Sequence, residues 1–141
     1  MLIRLAVAWS LMAVCVAIHA VGLAWAMRWL RRAAAAPHRF LSYLRLFIRV
    51  AVLIVMLHLA EILAWALLYV WRGALPDLTT AMYFSAVTYT TTGYGDVVLP
   101  EGWRLPGGVE ALTGILMCGW STGFFFAVVN RLNERTGNTE V

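Results

Sequence analysis

The chain has 141 residues, 62% of them hydrophobic and 13% charged, with a mean hydropathy of +0.79. A water-soluble domain of this size cannot hide so much apolar surface, so the composition indicates an integral membrane protein without a second, polar domain. The net charge is +4 and every basic residue is arginine; the arginines flank apolar runs, which ties them to membrane orientation and not to nucleic acid.

In chain order, residues 1–30 form the first predicted element. Leu2 to Leu30 is interrupted only by Arg4, Ser10, His19 and Arg28, and a spanning helix needs about 20 apolar residues. The run is too long for a cleaved leader, and its positive charge follows it instead of preceding it. Its middle carries no charge, so it does not read as a voltage sensor. Cys15 here and Cys118 later sit in apolar helical runs and read as packing residues. Residues 31–45 form an arginine-rich linker. Arg39, Arg45 and Arg49 suit an interfacial helix on the inner leaflet, with Phe40, Leu44 and Phe47 dipping into lipid. Residues 46–71 form the second span.

Next comes an apolar stretch, Leu78 to Val87, that is too short to cross. Pro76 and Asp77 in "PDLTT" supply a helix start, so residues 77–90 read as a half-helix that enters the membrane and stops. It ends in "TYTTTGYGD", residues 88–96. Residues 105–130 form the third span, and 131–141 a short tail with no room for a ligand-binding gating domain. The loop between the first two spans holds Arg28, Arg31, Arg32, Arg39, Arg45 and Arg49, which places it in the cytoplasm. The N-terminus is then outside, the C-terminus cytoplasmic, and the half-helix enters from outside.

Irregular backbone at membrane depth is tolerated only where protein surrounds it or water meets it. The polar 88–96 stretch must therefore line a cavity or pore. Gly93 and Gly95 flank Tyr94; glycine accepts positive φ without strain, so successive carbonyls can point the same way. A ladder of such oxygens can replace the hydration shell of a cation.

At these residues the chain resembles the potassium channel pore family. "TYTTTGYGD" is similar to that family's filter signature, "MYFSAVTYTT" to its aromatic-rich pore helix, and "PGGVEALTGILMCG" to the start of its inner helix; the likeness covers roughly residues 45 to 130. The resemblance implies an all-α membrane protein, with three transmembrane helices, a re-entrant pore helix (77–90), a filter strand (91–96) and an inner helix (105–130). The pore domain would be 46–130. The carbonyls of Thr91, Thr92, Gly93 and Tyr94 would hold K+, with Gly95 outermost and the Thr91 hydroxyl innermost. Asp96 would sit at the mouth, and Tyr94 would pack on an aromatic belt of Tyr83 and Phe84. Four strands make the ring, so the expected assembly is a cyclic homotetramer. The carbonyls of Thr88 to Thr90, at the negative helix end, would face the pore centre.

Two positions depart from the family pattern. Thr92 stands where valine or isoleucine is commoner, so its hydroxyl either bonds behind the filter or loosens it. Val87 stands where some members carry a glutamate that bonds the mouth aspartate, so Asp96 needs another partner, for which the Tyr83 hydroxyl is the candidate. On the inner helix, Gly119 is the candidate bend, with Gly114 and Gly123 either packing glycines or further hinges. Trp120, Ser121, Phe124 and Phe125 are candidates to line the inner gate.

Glu61 lies mid-span with His58 one turn before it, and a spacing of three puts both on one face. An ionisable group at that depth needs a partner or a wet cavity. The pair reads either as a packing bond or as a pH-sensing or metal-binding site, joined by His19 or Glu110. The function expected is passive, potassium-selective conduction across the bacterial inner membrane, with K+, lipid and three further copies of the chain as partners. No cofactor, nucleic acid or catalytic chemistry is expected. The alternatives are a weakly selective pore, and a non-conducting scaffold or sensor that uses His58–Glu61.

Overall fold

The computed structural model describes residues 1–33 and 40–137 of the chain. Four α-helices follow in order: α1 (Leu2–Ala33), α2 (Phe40–Trp71), α3 (Leu78–Tyr89) and α4 (Arg104–Gly137). A single 3-10 turn, Glu101–Trp103, leads into α4. Among the described residues, three stretches are long and apolar enough to cross a bilayer: Leu2–Leu30, Leu44–Trp71 and Glu101–Arg131. They are apolar on every side, as expected of helices that face lipid as well as protein.

The arginine-rich linker behaves differently from the sequence expectation where it is described. Residues 40–45 do not form a separate interfacial helix; they begin α2, which runs unbroken to Trp71. No proline or glycine stands between Phe40 and Trp71 to end a helix there. Arg39 and the last residues of the tail, 138–141, lie outside the described residues.

The short helix α3 packs between α2 and α4, and α1 crosses against both spans. The α1–α2 crossing is close: a Cβ on Gly22 would meet Leu57 Cδ2 at 2.5 Å. Small residues at such crossings allow helices to approach in a membrane, where apolar burial gives little drive to associate. The core runs from Ala8 and Cys15 of α1 through Trp65 and Tyr69 of α2 to Phe84, Trp103 and Met117. A second cluster lies at the other end, where Leu23, Ala26 and Leu30 meet Val50, Phe124 and Val128.

Arginine marks both ends of the bundle. Arg4 lies over the Trp103 ring at 5.4 Å and Arg72 over the same ring at 5.9 Å, while Arg49 lies over Trp29 at 5.8 Å at the opposite end. Cation–π contact at the rim lets each charge stay near water while its stem covers apolar surface.

Candidate functional site

The dead-end helix α3 is built by its two caps. Asp77, extended at φ −152° and ψ 165°, accepts from the Thr80 N–H at 2.9 Å and the Thr80 hydroxyl at 2.8 Å. These bonds satisfy an orphan donor of the first turn and, with the Thr80 N–H leading, hold the Asp77 carboxyl below its ordinary range. At the other end the backbone folds back on itself. The Thr91 N–H donates to the Thr88 carbonyl at 2.9 Å, and the Gly93 N–H donates to the Val87 carbonyl at 3.0 Å. Of the Thr88 to Thr90 carbonyls expected to face the pore centre, that of Thr88 takes a backbone donor, because the chain reverses at Thr90 and brings the Thr91 N–H within reach.

Beyond this turn the backbone alternates in sign. Thr91, Gly93 and Gly95 have φ of 60°, 53° and 79°, while Thr92 and Tyr94 between them stay negative. The glycines take this conformation freely, but Thr91 is β-branched, and positive φ there is strained. Residues 92–94 form no strand or ladder; the expected filter strand is irregular backbone instead. The residues from Thr90 to Asp96 are exposed on the single subunit.

The mouth residues fall partly where the sequence placed them. The Tyr83 hydroxyl donates to Asp96 Oδ2 at 2.6 Å, and this bond holds Asp96 below the ordinary carboxylate range. Thr92 is tied back as well, its hydroxyl 3.0 Å from that of Thr90. The aromatic belt is not formed within one subunit. Phe84 is buried and meets Tyr69 edge-on at 5.5 Å, whereas Tyr94 is 72% exposed. Phe84 points inward because its helix face abuts α2, whereas Tyr94 extends beyond the subunit's own packing.

The glycines of α4 separate clearly. A Cβ on Gly114 would stand 1.8 Å from the Tyr89 carbonyl oxygen, so Gly114 lets the end of α3 dock on α4; Gly119 and Gly123 face open space. Two of the residues assigned to the inner gate turn the other way. Ser121 and Phe124 are buried inside the subunit, while Trp120 and Thr122 are exposed. Cys118, read as a packing residue, is likewise exposed on the single subunit, and Cys15 is buried.

The buried polar groups assemble into something larger than the expected His58–Glu61 pair. His19 Nδ1 lies 2.9 Å from Glu61 Oε1, and His19 Nε2 lies 3.0 Å from Ser121 Oγ. Ser121 Oγ is also 3.2 Å from His58 Nε2, and His58 Nδ1 is 3.0 Å from the Tyr89 hydroxyl. Tyr89 in turn donates to Glu61 Oε2. His58 and Glu61 are 3.6 Å apart and joined through Tyr89 rather than directly. Glu110 is not a member: its Oε2 accepts from the Tyr69 hydroxyl at 2.7 Å. The ligand atoms of His19, His58 and Glu61 lie within 4.8 Å of one another, a set that could hold a metal ion. Tyr89 and Ser121 are the members that sequence reasoning missed; for Tyr89, a lone phenol inside a threonine run, ending a buried helix, was the available signal, whereas Ser121 was assigned to the gate.

A capped half-helix, a glycine-broken loop and a return helix between two spans define a pore loop, the architecture of an ion-conducting protein. A family model described as "Ion channel" matches residues 45–131, and the chain belongs to that family, with a potassium-channel-like pore and no enzymatic role. No curated protein and no solved structure gives a significant match. The match begins after α1, which is therefore an addition to the shared pore unit.

Proposed function

We propose that the protein is a potassium-selective channel of the bacterial inner membrane that works as a cyclic homotetramer and conducts K+ passively through the TTGYGD loop. The observation that carries this reading is the alternation of positive and negative φ from Thr91 to Gly95 on an exposed segment. Peptide planes that alternate in this way turn successive carbonyls to one side. The oxygens of Thr91, Thr92, Gly93 and Tyr94 then replace water around a dehydrated K+, with Gly95 outermost and the Thr91 hydroxyl innermost. One subunit leaves this loop exposed, and four copies about an axis give it both neighbours and ions.

Asp96, restrained by Tyr83, supplies negative charge at the outer mouth. The C-terminus of α3 points its negative end toward the same axis and favours a cation in the cavity below. Gly119 and Gly123, with open space around them, are the hinge candidates for an inner gate. Orientation rests on the arginines: among the described residues Arg4, Arg72 and Arg104 lie at the filter-mouth end, and Arg28, Arg45, Arg49 and Arg131 lie toward the opposite end. That imbalance supports a mouth outside and a cytoplasmic linker and tail.

The test is native mass measurement of the purified protein together with uptake of rubidium, a K+ surrogate, into liposomes. Four copies and uptake that is lost in Gly93→Ala support the reading. A dimer or trimer, or uptake indifferent to Gly93, overturns it.

A further inference from the structure

The buried polar cluster closes into a ring of five hydrogen bonds: Glu61 to His19, His19 to Ser121, Ser121 to His58, His58 to Tyr89, and Tyr89 back to Glu61. Four helices contribute. His19 comes from α1, Glu61 and His58 from α2, Tyr89 from α3 and Ser121 from α4. Each bond needs one hydrogen between its two heavy atoms, so the closed ring needs five. Two neutral imidazoles, one serine, one tyrosine and a carboxylate supply four between them. The ring therefore closes only when it carries one further proton. With Tyr89 donating to Glu61, that direction fixes the rest of the cycle. His58 donates to Tyr89, Ser121 to His58, and His19 to Ser121, which leaves the extra proton in the His19–Glu61 bridge.

We infer that this ring is a binding site for a single exchangeable proton, and that occupancy of the site holds the base of the pore loop in its conducting position. Tyr89 is the last residue of α3, two residues before Thr91, and its carbonyl is seated against Gly114 of α4. Loss of the proton leaves two lone pairs facing each other in one bridge. That bridge opens, and the tether from α1 and α2 to the end of α3 is weakened. The state that binds the proton is the closed ring, so the tether is complete at lower pH and is lost as pH rises.

His19 and Glu61 are fully buried, whereas His58 is partly exposed and gives the ring its access to exchange. Among the described residues, the other titratable groups that feel the Glu61 charge are the thiols of Cys15 on α1, which is buried, and Cys118 on α4, which is exposed on the single subunit. Glu110, eleven residues before Ser121 on α4, is engaged by Tyr69. Each nitrogen and oxygen that a metal would take from the ring has a ring partner, so a metal would bind only by displacing ring hydrogen bonds and would compete with the proton.

Glu61→Gln is the discriminating variant. The amide accepts from Tyr89 with its oxygen and donates to His19 with its nitrogen, so it brings the fifth hydrogen permanently. Histidine 15N spectra of the protein in bilayers, recorded from pH 5 to 10, report the ring without requiring conduction. Wild type is expected to show one titration step shared by both imidazoles, and Glu61→Gln none. Rubidium uptake into liposomes reports the coupling. Wild-type uptake is expected to fall roughly three- to tenfold, the effect of about one hydrogen bond, between pH 6 and pH 9. Glu61→Gln should keep the low-pH rate throughout, and Tyr89→Phe should show the high-pH rate throughout. A step that persists in Glu61→Gln overturns the site, as does zinc binding that perturbs both imidazoles and is lost in that variant. A wild-type step with uptake flat across pH overturns the coupling. Absence of uptake at every pH in every variant removes the channel reading and the coupling with it, while the spectra still decide the site.

Discussion

Replacing Gly114 by alanine should damage the protein far more than the same change one and a half turns later at Gly119. The added Cβ at Gly114 would lie 1.8 Å from the Tyr89 carbonyl oxygen, 2.7 Å from its carbon and 3.0 Å from its Cα. Real Cβ atoms do not approach closer than about 3.0 Å, so backbone, not a pliable side-chain tip, must retreat by at least about 1.2 Å. Tyr89 cannot move freely, because its ring is buried and its hydroxyl is held by both Glu61 and His58. Overpacking of this kind costs about 1–3 kcal/mol. At Gly119 the Cβ meets nothing within 4 Å in the subunit, and removing a helical glycine gains up to about 1 kcal/mol. Thermal unfolding in detergent, followed by tryptophan fluorescence, should therefore rank Gly114→Ala below wild type and Gly119→Ala level with or above it. Equal melting temperatures for the two variants would refute the docking of α3 on α4 through Gly114.

Tyr83→Phe removes the donor that holds the Asp96 carboxyl below its ordinary range. A lowered carboxylate contributes stability above its unfolded pKa of about 3.9 and loses it as pH falls through the folded value. Rundown of uptake at external pH 3 to 7 should therefore be faster in Tyr83→Phe at neutral pH and converge with wild type in acid; identical rundown at every pH would discount the bond. Tyr69→Phe keeps the ring contacts with Phe84 and Trp103 but strips Glu110 of its hydroxyl donor. Leaving that buried group unpaired should cost about 1–3 kcal/mol, read as a lower melting temperature; Tyr69→Phe combined with Glu110→Gln should recover part of it.

The spans were legible because each is a long apolar run bounded by arginine or proline, and α3 because Asp77 is placed to cap it. The Tyr83–Asp96 bond was also within reach of the sequence, since Val87 cannot serve Asp96 and the Tyr83 hydroxyl was the candidate in its place. The orientation of α4 was not. Its residues are apolar all round, so no periodicity tells which face turns inward, and Ser121 and Phe124 were assigned to the wrong side. The polar ring was hidden for a different reason. Its bonds join residues up to 102 positions apart, and only the packing of four helices brings His19 and Ser121 together. Spacing along one helix could suggest the His58–Glu61 pair but not the tyrosine between them. Gly114, Gly119 and Gly123 look alike in sequence; what separates them is the carbonyl of another helix standing over only the first.

The most direct measurement is the reversal potential of purified protein in a planar bilayer with K+ on one side and Na+ on the other. The proposed stack of carbonyls from Thr91 to Tyr94 should drive it close to the potassium equilibrium potential, and Gly95→Ala, which must hold a side chain at φ 79°, should abolish the current. A reversal potential near zero, with current undiminished in Gly95→Ala, would contradict conduction through this loop.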